Sequence, residues 1–289
     1  MEAKKIAQAQ SSNLLTDAQF AYLQDLVYRK MGIRLTPVKK MMVQNRLGRF
    51  VRRAGIDSLT VLLQSVKSDE NGPVAQSVYD TISTNHTFFF REINHFKYLS
   101  MTLLPLMADN CMSEGRPLKI WSAACSSGEE VYSLAITIEE FKRLHSAANL
   151  QYEILATDIS QTVLKIAEKR MYPAESISGF PYHIKKNYFQ QGVGSFHSIV
   201  RVKEELKSNV CFVKHNLLDP LPKGNLFDVV FCRNVMIYFD TESKRRLLEN
   251  LKRMMSPEGY LFIGHSESLY NAKPDFELVQ PTVYRNVGT

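Results

Sequence analysis

The chain is poor in cysteine. Cys111, Cys125, Cys211 and Cys232 are the only four in 289 residues, and no two stand as CxxC. Such spacing signals neither a disulfide framework nor a zinc ribbon, and reduced, buried thiols are the expectation. Nowhere do about 18 apolar residues run together, so no membrane-spanning helix is expected. The opening MEAKKIAQAQSSNLL is basic at first but lacks the apolar core of a secretory leader. These absences place the protein in the cytoplasm. Internal repeats and low-complexity tracts are missing, and so is GxGxxG, which counts against NAD and its pyrophosphate.

What is present is an ordinary globular composition, 45% hydrophobic and 22% charged, which argues against long disorder. The length suits two modest domains, each with its own core. The formal charge of +7 is uneven: residues 1–90 hold 12 Lys or Arg against 7 Asp or Glu. From Arg29 to Arg53 nine cations follow one another with no acid between them. A surface of that kind attracts an acidic partner. Nucleic acid is one such partner, but the stretch has few aromatics for base stacking, and Tyr28 and Phe50 suit a helical core better.

The first part of the chain reads as helices. Phe20, Leu23, Leu26 and Val27 recur at helical spacing after a Thr16 cap and before Met31-Gly32. A second helix is expected from about Val38 to Ala54, with Leu47, Phe50, Val51 and Ala54 on one face and Arg46, Arg49 and Arg53 on another. A third follows Asp57-Ser58, and a fourth follows Asn71-Gly72-Pro73. We therefore expect a tail over residues 1–14, an all-helical domain over 15–84 and a second domain over 85–289.

Beyond Asn85 strands and helices alternate, the pattern of a parallel sheet covered on both faces. Strands are predicted at Leu118–Ser122, Glu153–Thr157, Val210–Lys214, Val229–Cys232 and Tyr260–Gly264. Helices are predicted at Glu129–Leu144, Ser160–Lys169 and Glu242–Met255. The fold class is doubly wound α/β, with ligands beyond the carboxyl ends of the strands. The stretch of about 171–207 breaks the alternation and reads as an inserted antiparallel β subdomain.

Several residues at strand ends carry chemistry. Ala123 to Gly128 are small and open directly into a helix, where a ligand can approach the backbone, although packing alone would also favour small residues there. Glu129 and Glu130 begin that helix. A carboxylate there suits a cationic amino group and repels a phosphate, while the helix dipole accounts for one of the two. Asp158 can receive ribose hydroxyls or cap the following helix. Asn216 can meet a base edge or cap a turn.

Two further segments are Thr84-Asn85-His86-Thr87-Phe88-Phe89-Phe90-Arg91-Glu92 and Phe231-Cys232-Arg233-Asn234-Val235-Met236-Ile237-Tyr238-Phe239. With WSAACSSGEEVYSLAI at Trp121–Ile136 and GHSESL at Gly264–Leu269, they resemble the CheR family of chemotaxis receptor methyltransferases. The resemblance spans nearly the whole chain. It implies a Rossmann-like methyltransferase sheet and a pocket for S-adenosylmethionine lined by Asn85, Thr87, Arg91, Glu130, Asp158, Asn216, Leu217, Arg233 and Asn234. Glu130 would hold the methionine amino group and Asp158 the ribose; no metal is implied.

The implied reaction is methyl transfer to glutamate side chains of a methyl-accepting chemoreceptor, leaving S-adenosylhomocysteine, with Arg91 and Tyr238 orienting the substrate carboxylate. The resemblance further implies that Arg46, Arg49 and Arg53 face the receptor's acidic helices. Gly192, Gly194 and Arg201 in the insertion resemble the version that holds a receptor C-terminal peptide. It also implies recruitment to membrane receptor arrays, with no nucleic acid and no membrane insertion. The competing readings are an RNA methyltransferase, a non-catalytic S-adenosylmethionine-sensing receptor adaptor and an NAD-dependent oxidoreductase.

Overall fold

The computed structural model describes residues 14–145, 147–222, 224, 226–269 and 275–288. The tail expected over 1–14 lies outside the described residues except for Leu14. The chain divides into two compact units. One comprises the residues up to Thr84 together with Tyr238–Asp240, and the other comprises Asn85–Ile237 and Thr241 onward.

In the first unit four helices form where the sequence carries start and stop signals. The first, α1 (Asp17–Met31), opens with a reciprocal capping box between Thr16 and Gln19 and closes on Gly32 in the left-handed region. The second, α2 (Lys40–Ala54), begins two residues later than expected, because Pro37–Lys39 forms a separate 3-10 turn with proline at its start. Ser58 caps α3 (Leu59–Ser68), and Pro73 begins α4 (Pro73–Ile82). Their buried faces meet in a core that includes Leu23, Leu26, Leu47, Leu59, Leu62 and Val78.

Tyr238–Asp240 completes this unit. Ile33 bridges to Phe239, the Arg34 N–H donates to the Tyr238 carbonyl at 3.0 Å, and the Tyr28 hydroxyl donates to Asp240 at 2.8 Å.

The second unit is built on a seven-stranded sheet in the order β6-β2-β1-β7-β8-β10-β9. Its strands are β1 (Leu118–Ala123), β2 (Tyr152–Asp158), β6 (Val210–Lys214), β7 (Phe227–Cys232), β8 (Met255–Ile263), β9 (Phe276–Gln280) and β10 (Val283–Asn286). The first five in spatial order are parallel; β10 runs antiparallel to both neighbours. All six residues of β7 are buried, as a strand covered on both faces requires.

Three helices cross between these parallel strands: α7 (Glu129–Leu144), α8 (Gln161–Lys169) and α11 (Thr241–Met254). Before β1 run α5 (Asn94–Tyr98), a π-helical turn at Leu99–Leu103 and α6 (Leu104–Ser113). From β1 the chain winds outward through β2 to β6, and from β7 it winds the other way to β8. The order therefore reverses between β1 and β7, which places the ligand crevice beyond their carboxyl ends.

The stretch from Met171 to Leu206 contains a second, three-stranded antiparallel sheet, ordered β3 (Met171–Pro173), β5 (Ile199–Val202), β4 (Phe189–Gln191). Short helices α9 (Tyr182–Tyr188) and α10 (Glu204–Lys207) flank it. Phe89 anchors this sheet to the main core, its ring lying edge-on to Tyr172, Phe180 and Phe189 at 4.9, 5.9 and 5.5 Å.

Two expectations change. Cys211 is exposed while the other three cysteines are buried, because it lies on β6, the outermost strand at its end of the sheet. The β9–β10 hairpin was not anticipated, since β9 is itself an edge strand with no fully buried residue and carries no alternation to read. Among the described residues no helix is long and apolar enough to cross a membrane.

Candidate active site

The turn after β1 is held by strand β2. The Cys125 N–H donates to the Thr157 carbonyl at 2.8 Å, and the Ser126 N–H donates to the Asp158 carboxylate at 2.9 Å. Asp158 is buried, and its other oxygen accepts the Ser160 N–H at 2.9 Å. Its carboxylate thus ties the turn after β1 to the start of α8. From the other side the Ser126 hydroxyl donates to the Asn85 carbonyl at 2.8 Å.

The turn ends at Gly128, whose φ of 93° favours glycine. A Cβ there would lie 2.7 Å from the Ala167 Cβ and 3.0 Å from the Tyr172 hydroxyl oxygen. The Tyr172 hydroxyl donates to the Ser127 carbonyl, so glycine is needed for conformation and for space.

Beyond β7 the buried Arg233 side chain divides its guanidinium three ways. It reaches Glu92 at 2.9 Å and Glu130 at 3.0 Å, and it donates to the Arg91 carbonyl. Glu130 also accepts from the Ser122 hydroxyl at 2.7 Å, and Glu92 from the Asn234 amide at 3.2 Å and the His265 N–H at 3.3 Å. The two carboxylates shift in opposite directions, Glu130 being the more deeply enclosed of the two. At Glu130 burial raises the pKa against the pull of Arg233. At Glu92 burial also pushes upward, but Arg233, Asn234 and His265 outweigh it and hold the group below the usual range.

Two carboxylates share one guanidinium, so the cluster is one positive charge short. A ligand with a cationic amino group supplies that charge; a pyrophosphate adds to the deficit. Glu129, at the same helix start, accepts from the Ser127 hydroxyl at 2.7 Å, and burial raises its pKa too.

Backbone strain gathers at the same place. Among the described residues eight non-glycine positions have positive φ, and Phe90, Glu92, Ala124, Ser126 and Asn234 are five of them. Each costs on the order of 1–3 kcal/mol, and surrounding hydrogen bonds hold them there. Asn234 is fixed by Glu267, which accepts the N–H groups of Asn234 and Gly264 at 2.9 and 2.6 Å.

Hydrogen bonds therefore connect most of the expected cofactor residues. Asn85 and Asp158 meet through Ser126, Glu130 and the Arg91 backbone meet through Arg233, and Asn234 joins them through Glu92. Asn216 and Leu217 follow His215, whose N–H donates to the Asp158 carbonyl at 2.9 Å. Thr87 lies in the Asn85–Arg91 loop, half-buried. The Arg91 guanidinium donates to the His86 carbonyl at 2.9 Å and lies 5.9 Å from the Phe88 ring. Glu92 is paired with Arg233 rather than with its neighbour Arg91.

Tyr238 belongs to the helical unit, where the Lys39 ammonium lies 5.3 Å from the centre of its ring. Arg46 donates to the Ile82 and Ser83 carbonyls at 2.7 and 2.8 Å, satisfying the end of α4, while Arg49 and Arg53 are exposed. In the insertion Gly192 lies so close to the Phe196 carbonyl that a Cβ would stand 2.2 Å from its oxygen, and Gly194 has φ of 58°. Arg201 is exposed on the central strand β5.

A family model described as the SAM-binding domain of CheR methyltransferase matches residues 85–285, and the model of the CheR all-alpha domain matches residues 18–83. The chain belongs to the CheR methyltransferase family. It is 36% identical to the chemotaxis protein methyltransferase of Borreliella burgdorferi, covering 94% of this chain and 95% of that protein. Chemotaxis protein methyltransferase 2 of Pseudomonas aeruginosa is 38% identical, with 93% of each chain covered. For the Escherichia coli K12 chemotaxis protein methyltransferase the identity is 36%, over 93% of this chain and 91% of that one.

The small-residue turn, the acid after β2 and the charge-deficient cluster thus lie in the CheR domain that binds S-adenosylmethionine. Glu92 and Glu267 were not among the site residues expected from the sequence. Glu92 and Glu267 stand inside the quoted motifs, but their partners lie 142 and 33 positions away at Asn234.

Gly128→Ala is expected to destabilise the protein by about 1–3 kcal/mol and to weaken S-adenosylhomocysteine binding, because the added methyl forces the turn away from Ala167. Urea denaturation and calorimetry check this. Wild-type values in both would show that the turn tolerates a side chain.

Proposed function

We propose that this CheR protein transfers the methyl group of S-adenosylmethionine to glutamate side chains of a methyl-accepting chemotaxis receptor, giving methyl esters and S-adenosylhomocysteine. The observation that carries the reading is the cluster of Arg233, Glu92 and Glu130 at the sheet's reversal point, one cation short, in a chain similar from end to end to chemotaxis protein methyltransferases. When bound, the sulfonium supplies an electrophilic methyl and the methionine amino group a cation for Glu130. Asp158 and Asn216 are the proposed contacts for ribose and base, with Asn85, Thr87, Leu217 and Asn234 lining the pocket.

A receptor glutamate is already an anion at neutral pH, so it needs orientation and partial dehydration rather than a base. Arg91 is the proposed orienting cation. Its guanidinium is bound only to the His86 carbonyl among the contacts given above, so it retains N–H groups for a carboxylate. Tyr238 is proposed to steady one carboxylate oxygen through its hydroxyl. This chemistry also separates the reading from an RNA methyltransferase and from an adaptor that binds S-adenosylmethionine without using it.

The receptor's acidic helices are proposed to meet the exposed Arg49 and Arg53, with Arg46 fixing the helix that presents them. The insertion is proposed to hold a receptor C-terminal peptide. Strand β5 is paired on both sides, so an added strand would use an outer strand such as β4, which runs into Gly192 and Gly194. Beside β4 a cavity of ≈ 610 Å³ is lined by Lys186, Phe189, Arg201, Lys203, Glu204 and Glu205 among others, with more cations than carboxylates. The protein would work in the cytoplasm, recruited to membrane receptor arrays.

With labelled methyl donor and receptor-containing membranes, label is expected on the receptor and is expected to leave in mild base, as carboxyl esters do. Arg91→Ala is expected to lower kcat/KM by about a hundredfold. Base-stable label, or label confined to RNA, would contradict the reading. Reversing Arg49 and Arg53 to Glu is expected to raise the KM for receptor in low salt while S-adenosylhomocysteine affinity stays unchanged. Unaltered methylation kinetics would remove the basic face from the account.

A further inference from the structure

We propose that Glu92, His95 and His265 form a binding site for a divalent transition-metal ion of the zinc class. Their ligand atoms all lie within 4.8 Å of one another.

The tautomer of His95 carries the argument. Thr282 Oγ1 donates to the Pro281 carbonyl at 2.6 Å, so toward His95 Nε2, 2.7 Å away, it acts as the acceptor. With the hydroxyl hydrogen on the Pro281 carbonyl, Nε2 bears the ring hydrogen and Nδ1 keeps its lone pair. Nδ1 is buried with no hydrogen-bond partner among the described residues, in a side chain only 2% exposed. It faces Glu92 Oε2 at 3.6 Å, one lone pair toward another.

A metal ion set between the two would take a lone pair from each. His265 Nε2 lies 3.9 Å from the same Glu92 oxygen, and its half-exposed side chain gives the ion a way in from solvent.

The donor set selects the metal. Two imidazole nitrogens and a carboxylate suit zinc-class ions, whereas calcium and magnesium take oxygen shells. Zinc bonds of about 2.0–2.2 Å place tetrahedral donors about 3.3–3.5 Å apart. The spacing between His95 and Glu92 is close to this, and the half-exposed His265 ring would close in from separations of up to 4.8 Å. Water would fill the fourth position. Arg233 holds the same Glu92 oxygen at 2.9 Å, so ion and guanidinium share it, which makes this a weaker site than a closed structural one.

The test uses the full chain carrying Cys211→Ser, because the exposed thiol would itself take zinc. Titration with Co2+ is expected to give one equivalent whose visible bands lack thiolate charge transfer, displaced by Zn2+. His265→Ala is expected to lower the affinity at least tenfold. Its S-adenosylhomocysteine affinity, measured in chelator, is expected to match that of the parent, which also shows that the variant is folded. His197→Ala, an exposed histidine in the insertion, is expected to leave metal binding unchanged. No binding at submillimolar metal, or equal affinity with and without His265, would overturn the proposal.

Discussion

The guanidinium of Arg233 is buried at the carboxyl end of β7 and divided among Glu92, Glu130 and the Arg91 carbonyl, and the crevice depends on that division. Removing one partner from a buried charge network costs about 3–5 kcal/mol, because the charge left behind has no water to turn to. Here the network does more than hold. It fixes the loop carrying Arg91 to the turn after β7 that carries Arg233 and to the helix carrying Glu130, and it leaves a net negative charge where the sheet order reverses. In the proposed reading, the fold sets the place of the cofactor pocket and this network sets its sign.

The strained positions follow from the same arrangement. Glu92 reaches Arg233, Asn234 and the His265 N–H with its backbone, like those of Phe90 and Asn234, in the left-handed region. Ala124 and Ser126 turn the chain sharply after β1, so that Asp158 can receive the Ser126 N–H. These residues resist their local preferences because several hydrogen bonds overdetermine them. A rigid pocket suits a reaction in which orientation, rather than proton transfer, lowers the barrier.

Much of the fold was legible because its signals are local. Thr16 with Gln19, Ser58 and Pro73 mark helix starts within one turn, and the buried parallel strands read as apolar runs. Edge strand β9 did not, because exposure removes the pattern, and for the same reason Cys211 on the outer strand β6 escaped the expectation of burial. At the site, residue types at strand ends pointed to a nucleotide-like pocket, while the methyl donor and the receptor came from family resemblance. Glu92 was legible as an acid beside Arg91 but not as the partner of Arg233. That pairing spans 141 positions and exists only once β7 lies beside β1.

The most direct test of this account is a double-mutant cycle on Glu92 and Arg233, read as S-adenosylhomocysteine affinity by calorimetry with Glu92→Gln, Arg233→Lys and both together. If the pair acts as one unit that shapes the pocket, each single change weakens binding about tenfold or more and the double change adds little beyond either. Wild-type affinity in the single variants, or losses that simply add, would show that the cofactor pocket does not depend on this pair.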